Sequence, residues 1–263
     1  MQMNERIVAL GVGERGYMFV GQMLGDVEGV VFADVKFQAS YEDMMPILDR
    51  APLTFNLLEN VVDEFKEIID EYFVNSDLIF VIGDSPLSPE VAKVAREAGK
   101  LTIGIALTFD EELKSAFKEA SDVLISFDKD MAEKVVETQK VVESMVNLIT
   151  KSGFVNLDFE DIKAILQDTG TAFYGIGNAK GDNRAKIAAM RSLNMCGGLN
   201  NAKRIVLNIT TGREVSLSEM SDVAEIIEIA CDSNAQVIWG HVIDDEMGDD
   251  LQVTFIAGMN DKK

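Results

Sequence analysis

The sequence predicts an α/β protein in three parts: a Rossmann-like N-terminal domain with a parallel sheet (1–130), a long connecting helix (131–152) and a smaller α/β C-terminal domain (153–263). Three observations lead there. Short, wholly apolar runs such as RIVALGV (6–12), DLIFVI (77–82) and KLTIGIAL (100–107) alternate with helical stretches up to Phe127, the pattern of buried parallel strands joined by crossover helices. The run Met131–Thr150 then carries apolar residues at Val135, Val142, Met145, Val146 and Ile149, which is helical spacing. Past Gly153 a second set begins, including a helix from NRAKIAAMRSL and a strand from QVIWGHVI.

A chain of 263 residues buries a real core and suits one large domain or two small ones. The net charge of −21 argues against nucleic acid and anionic membranes as partners, and any phosphate ligand must find local donors. Cys196 and Cys231 lack metal-ligand spacing, only His241 is available to join them, and they read as reduced thiols with no metal expected. No apolar run reaches a membrane-spanning length and the first residues lack the basic and apolar regions of a signal peptide, so a cytoplasmic protein without direct membrane contact is expected.

In chain order, the first strand ends in Gly11-Val-Gly13-Glu-Arg-Gly16, a GxGxxG between strand and helix, and Asp34 closes a second apolar strand, VVFAD. On its own that is a dinucleotide-binding pattern, although any tight strand-to-helix turn favours glycine. The stretch 36–58, with Pro46 and Pro52, gives no clear element, and helical spacing resumes from Leu58 to Tyr72. After the strand at 77–82 comes Gly83-Asp84-Ser85-Pro86-Leu87-Ser88-Pro89, with Ser88 and Pro89 as a helix start and Gly99 as its stop. A strand (100–107), an acidic-faced helix (110–120) and a strand (121–127) complete the first part.

Gly153 is expected to end the long helix in a left-handed cap. Asn156, Asp158 and Asp161 follow, before an apolar helix from Ile162, and read locally as an N-cap with first-turn acids favoured by the helix dipole. Gly175, Gly177 and Gly181 are expected in turns, and Cys231–Asn234 in a turn between helix and strand. Asp244, Asp245, Asp249 and Asp250 read as a solvated acidic turn rather than a cation site. His241, on a strand and without a partner at ligand spacing, reads as structural. The thirteen methionines are mostly core filler.

The wording of four segments adds a resemblance. NLDFEDI (156–162), GTAFYGIGNAKGDNRA (170–185), KRIVLNITTGREVSLSEM (203–220) and VIWGHVIDDEMGDDLQVTFIAGM (237–259) resemble FtsZ, the bacterial relative of tubulin, in order and spacing over about half of the chain. In that family monomers stack head to tail, and the Asn and Asp side chains of the first segment reach into the neighbour's GTP site and position the attacking water. The resemblance therefore implies Asn156, Asp158 and Asp161 as catalytic residues acting in trans, and an FtsZ-type subunit or a second copy as partner.

The same resemblance makes the N-terminal part a GTP or GDP site, and there the sequence departs from it. The family's glycine run survives as Gly11, Gly13 and Gly16, but Glu14 and Arg15 interrupt it and Tyr17 stands about where an Asn is usual. A second glycine loop has no counterpart, since no Gly lies between Val30 and Ile82. The glycine-rich signature loop has become GDSPLSP: two prolines remove backbone donors and Asp84 adds negative charge. On the central helix, Met131 and Val136 stand near the guanine-holding positions, with Glu133 or Glu137 one turn away. Gly11, Gly13, Arg15, Gly16, Gly83, Ser85 and Ser88 remain as the candidate phosphate contacts.

The expectation is a shortened, divergent FtsZ-like protein that has lost normal GTP binding, needs no cofactor, and modulates FtsZ-type filaments in cell division. The alternatives are an active, polymerising GTPase and, less favoured, a dinucleotide-binding protein built on Gly11, Gly13, Gly16 and Asp34.

Overall fold

The computed structural model describes residues 7–23, 30–37, 53–57, 60–127, 131–196 and 199–261. The stretch 38–52, with Pro46 and Pro52, and the side chains of Glu14, Tyr17, Asp34 and Met131 lie outside the described residues. The chain divides into two compact units, 1–146 and 147–263.

In the first unit β1 (Ile7–Val12), β2 (Val31–Phe37), β3 (Leu53–Leu57), β4 (Leu78–Gly83), β5 (Leu101–Ala106) and β6 (Val123–Ser126) form a parallel sheet in the order β3-β2-β1-β4-β5-β6. The central strands are buried along their whole length, which is why they read as continuous apolar runs. β2 continues three residues past Asp34, whose backbone lies beside Gly11, so that acid does not end its strand. β3 fills part of the stretch that shows no element in the sequence.

The helices follow their local signals. α1 (Gly13–Met23) starts directly from β1, and α2 (Val61–Tyr72) is capped by Asn60, whose side chain accepts from Asp63 N–H. α3 (Leu87–Glu97) starts one residue earlier than Ser88 and closes at Gly99, which is left-handed (φ +78°). α4 (Glu111–Ala120) is capped by Asp110. Phe65, Ile69 and Phe73 from α2 and its C-cap, Val91 and Ala95 of α3 and Phe117 of α4 join Val8, Leu10, Ile79 and Val81 of the sheet in one core. The long helix α5 spans Met131–Thr150 and ends two residues before the expected 152.

The second unit holds β7 (Gly170–Lys180), β8 (Arg204–Thr211), β9 (Gln236–Ile243) and β10 (Asp250–Gly258) in the order β7-β10-β8-β9. β10 runs antiparallel to both neighbours and β8 pairs with β9 in parallel. α6 (Phe159–Leu166), α7 (Arg184–Cys196) and α8 (Leu217–Ala230) complete it, the last with a full Ser216–Glu219 capping box.

Two glycine expectations are corrected. Gly175 and Gly177 lie within β7, not in turns: a Cβ there would meet Phe255 Cζ at 2.3 Å and Ala188 O at 2.1 Å respectively, so glycine lets β10 and α7 close onto the strand. Gly181 is the turn residue (φ +76°). Gly153 is not left-handed either; its role is taken up below.

Candidate functional site

In the first unit, chain direction reverses across the sheet between β1 and β4, because β1 leads outward to β2 while β4 leads to β5. The crevice at the carboxyl ends of two such strands is where open α/β sheets bind ligands. The structure brings the candidate phosphate residues together there. A Cβ on Gly13 (φ +80°) would lie 2.8 Å from Ser85 Cβ, one on Gly16 2.2 Å from Ile82 O, and one on Gly83 2.4 Å from Ser88 Oγ. Glycine is thus needed for the turn after β1 and the turn after β4 to touch.

Backbone donors in the turn after β4 are missing or already used. Leu87 N–H donates to Ser85 Oγ (3.2 Å) and Ser88 N–H to Ser85 O (2.9 Å), while Pro86 and Pro89 have none. None of residues 86–89 therefore has a backbone N–H to spare for an anion. Arg15, the cation added within the first turn, pairs with Asp84 across the two turns (3.3 Å). Ser88 is fully buried and its hydroxyl has no partner among the described residues.

Of the expected base-contact positions on α5, Met131 has a side chain outside the described residues, Val136 is half exposed, Glu133 is exposed, and Glu137 is buried and pairs with Lys140 (3.4 Å). Sequence reasoning missed Lys134. It is fully buried, with Nζ 3.4 Å from Leu107 O and 3.6 Å from the Phe109 ring centroid. Leu107 N–H in turn donates to Gly83 O, so this ammonium stands beside the end of β4. Its position on the buried stripe shared with Thr138 and Val141 was the available signal.

In the second unit, the loop between α5 and α6 lies along the edge of β9. Ile243 N–H donates to Ser152 O (3.3 Å), His241 N–H to Val155 O (2.8 Å), and Lys151 Nζ pairs with Asp244 (2.9 Å). That hydrogen bond from Lys151 holds the Asp244 carboxyl below its ordinary range. A Cβ on Gly153 would fall 1.7 Å from His241 O, so glycine is required by this close approach rather than by a helix cap. Gly240 similarly leaves room for Leu148 and Leu157.

Asn156 Oδ1 accepts Gly153 N–H (2.9 Å) and shapes the loop from within. Asp158 caps α6, its Oδ1 accepting Glu160 N–H (3.2 Å), and the helix begins at Phe159 rather than Ile162. Asp161, in the first turn, is exposed and makes no hydrogen bond or ion pair among the described residues. Beside these three stands Phe154, 60% exposed and stacked on the His241 ring (centroids 5.2 Å apart, 19° between planes). Nothing in the local sequence marks that pair, whose members are 87 residues apart.

Among the described residues, no group of three His, Cys, Asp or Glu side chains could hold a metal. Asp245 pairs instead with Arg213 (2.8 Å). Burial pushes the Cys231 thiol up to about 11, far from a neutral-pH nucleophile. No helix among the described residues is long and apolar enough to cross a membrane.

Residues 170–260 match the C-terminal domain of the FtsZ family. The chain is similar to a mutant FtsZ of M. jannaschii (TM-score 0.79, 20% identity, covering 97% of this chain and 91% of that one). It is similar to an empty FtsZ dimer of the same organism (0.77, 21%, 97% and 88%) and to GDP-bound CetZ1 of Haloferax volcanii (0.69, 13%, 98% and 94%). The chain has an FtsZ/tubulin-type fold. The matched C-terminal domain starts at β7, so the loop with Asn156, Asp158 and Asp161 precedes it, while the FtsZ/tubulin fold itself extends across nearly all of the chain.

Proposed function

We propose that the chain is an FtsZ-type cytoskeletal assembly protein of the cytoplasm that has given up efficient GTP binding. It docks through Asn156, Asp158 and Asp161 onto the nucleotide face of an FtsZ-type subunit, and fails to accept the next one. It would thereby cap or modulate filaments in cell division. The observation that carries this reading is the turn at residues 86–89, where Pro86 and Pro89 have no N–H and Ser85 takes those of Leu87 and Ser88. Asp84 adds a carboxylate and holds Arg15 besides. Fold alone does not carry activity, which lives in such donors.

One set of observations favours a second reading, an active GTPase. Gly11, Gly13, Arg15, Gly16, Gly83, Ser85 and Ser88 converge at the switch point, and buried Lys134 supplies a nearby cation. Calorimetric titration of GTP and GDP with magnesium, at low and high salt, separates the two. No detectable heat is the expected result; micromolar or tighter binding would transfer the conclusion to the GTPase.

A further inference from the structure

Among the contacts that fasten the loop carrying Asn156 and Asp158 to β9 is one imidazole, and the geometry fixes that ring's protonation. Phe154 N–H can only donate, and it points at His241 Nδ1 (3.2 Å), so Nδ1 must carry a lone pair. On the other side, Nε2 lies 2.9 Å from Thr211 Oγ. The Thr211 hydroxyl spends its single proton on Gly212 O (2.7 Å), so its oxygen accepts and Nε2 donates. Both contacts demand the same neutral tautomer, with the proton on Nε2.

We propose that His241 is the positioning residue of the 151–158 loop, holding it in docking shape as the neutral Nε2–H tautomer and releasing it when Nδ1 is protonated. This rests on the docking reading for its consequence, though not for its mechanism. A proton on Nδ1 would set two donors facing each other at 3.2 Å and convert an attraction into a repulsion. Phe154 would lose its anchor first, because its N–H and its ring both rest on His241. The backbone bonds from His241 and Ile243 to Val155 and Ser152, and the exposed Lys151–Asp244 pair, are what then remain.

The surroundings leave the ring to act by itself. Charged groups on the framing elements are Lys151 in the loop, Asp244 after β9, Arg213 and Asp245 beyond Thr211, and Asp158, Glu160, Asp161 and Lys163 at or on α6. Lys151 pairs with Asp244 and Arg213 with Asp245. His241 is 1% exposed, and burial, with no charge acting alongside it, lowers its pKa from the usual 6.5. A base whose folded value is depressed contributes its full stability above 6.5 and loses it as pH falls below 6.5 toward the folded value.

The test is amide hydrogen exchange of the whole chain, with rates corrected for their intrinsic pH dependence. Between about pH 7.5 and about pH 5, protection of Phe154 N–H and the 151–157 segment should fall roughly 30-fold if the closed-state ring stays neutral throughout. The β7–β10 core should not change. In His241→Asn, the side-chain oxygen can replace Nδ1 as acceptor without titrating, so loop protection should be flat with pH. A wild-type change under about twofold overturns the proposal, because a closed state blind to the proton leaves no linkage. An equal pH dependence in His241→Asn also overturns it, by assigning the effect to another group. Should that variant not fold, imidazole nitrogen shifts of the wild type decide alone: protonated Nε2 and bare Nδ1 at neutral pH support the latch, and protonated Nδ1 refutes it. These readouts use the isolated chain, so failed docking onto an FtsZ-type subunit would sink the proposed function and leave the latch standing.

Discussion

Replacing Gly153 by Ala tests whether the 151–158 loop is shaped by its contact with β9. The added Cβ would sit 1.7 Å from His241 O and 2.5 Å from its carbonyl carbon, against an ordinary contact of about 3.4 Å. Neither obstacle is a flexible side-chain tip, so the two backbones must part. Three hydrogen bonds lie within the separated region: Phe154 N–H to His241 Nδ1, His241 N–H to Val155 O, and Ile243 N–H to Ser152 O. At about 1 kcal/mol net for each, with some recovered from water at this sheet edge, the loss is about 2–3 kcal/mol. The Phe154–His241 stack contributes roughly a further 0.5–1.5 kcal/mol where it is lost. The cost is bounded by opening of the loop, since the rest of the unit can stay folded. Urea unfolding gives the stability change and hydrogen exchange gives its location. A variant within about 0.5 kcal/mol of wild type, with unchanged protection at 151–157, would refute the argument that close approach shapes this loop.

Two further substitutions probe the same unit. Glu219 closes the capping box of α8 and takes Arg184 Nε at 2.6 Å, while Arg184 also donates to Asp249 O and Glu214 O. Glu219→Ala should cost about 2–3 kcal/mol and Glu219→Gln about half that, measured by urea unfolding. Arg184, and then Ser216, hold the Glu219 carboxyl below its ordinary 4.5, so its contribution is complete above 4.5 and lost as pH falls through the folded value. The Gln variant should lack this component of the acid loss. Asp158→Ala should cost about 1 kcal/mol through the lost cap, and Asp158→Asn much less. Asp161→Ala should leave stability within about 0.5 kcal/mol yet reduce co-sedimentation with FtsZ-type filaments; unchanged co-sedimentation would remove Asp161 from the docking face.

Elements whose cause is local were legible in the sequence. QVIWGHVI is β9 residue for residue, Met131–Thr150 is α5, and Gly99 is left-handed where a helix stop was expected. β3 was hidden because five residues after a proline, bordered by a strand edge, carry no period of their own. Gly153, Gly175 and Gly177 were misassigned for one reason. A glycine demanded by positive φ has a sequence context, whereas one demanded by a neighbouring backbone does not, and all three belong to the second kind. The latch was illegible on the same ground: neither Phe154 nor His241 is unusual until the fold brings them together.

That distinction bears on how far glycines can be trusted as signs of a phosphate site. At the switch point the two turns would need Gly13, Gly16 and Gly83 with or without a ligand, because each missing Cβ is replaced by Ser85, Ile82 O or Ser88. Packing alone is enough to retain them, whether or not a ligand binds. What a phosphate requires beyond room is a set of uncommitted N–H groups. In the turn after β4 those are limited by Pro86 and Pro89 and by Ser85, whose hydroxyl and carbonyl take the N–H groups of Leu87 and Ser88, residues that a glycine pattern does not register. The Ser88 hydroxyl, without a partner among the described residues, is buried against Gly83, where a Cβ would meet it at 2.4 Å. The proposed loss of GTP binding therefore rests on the N–H groups that Pro86 and Pro89 lack, and not on the glycine pattern.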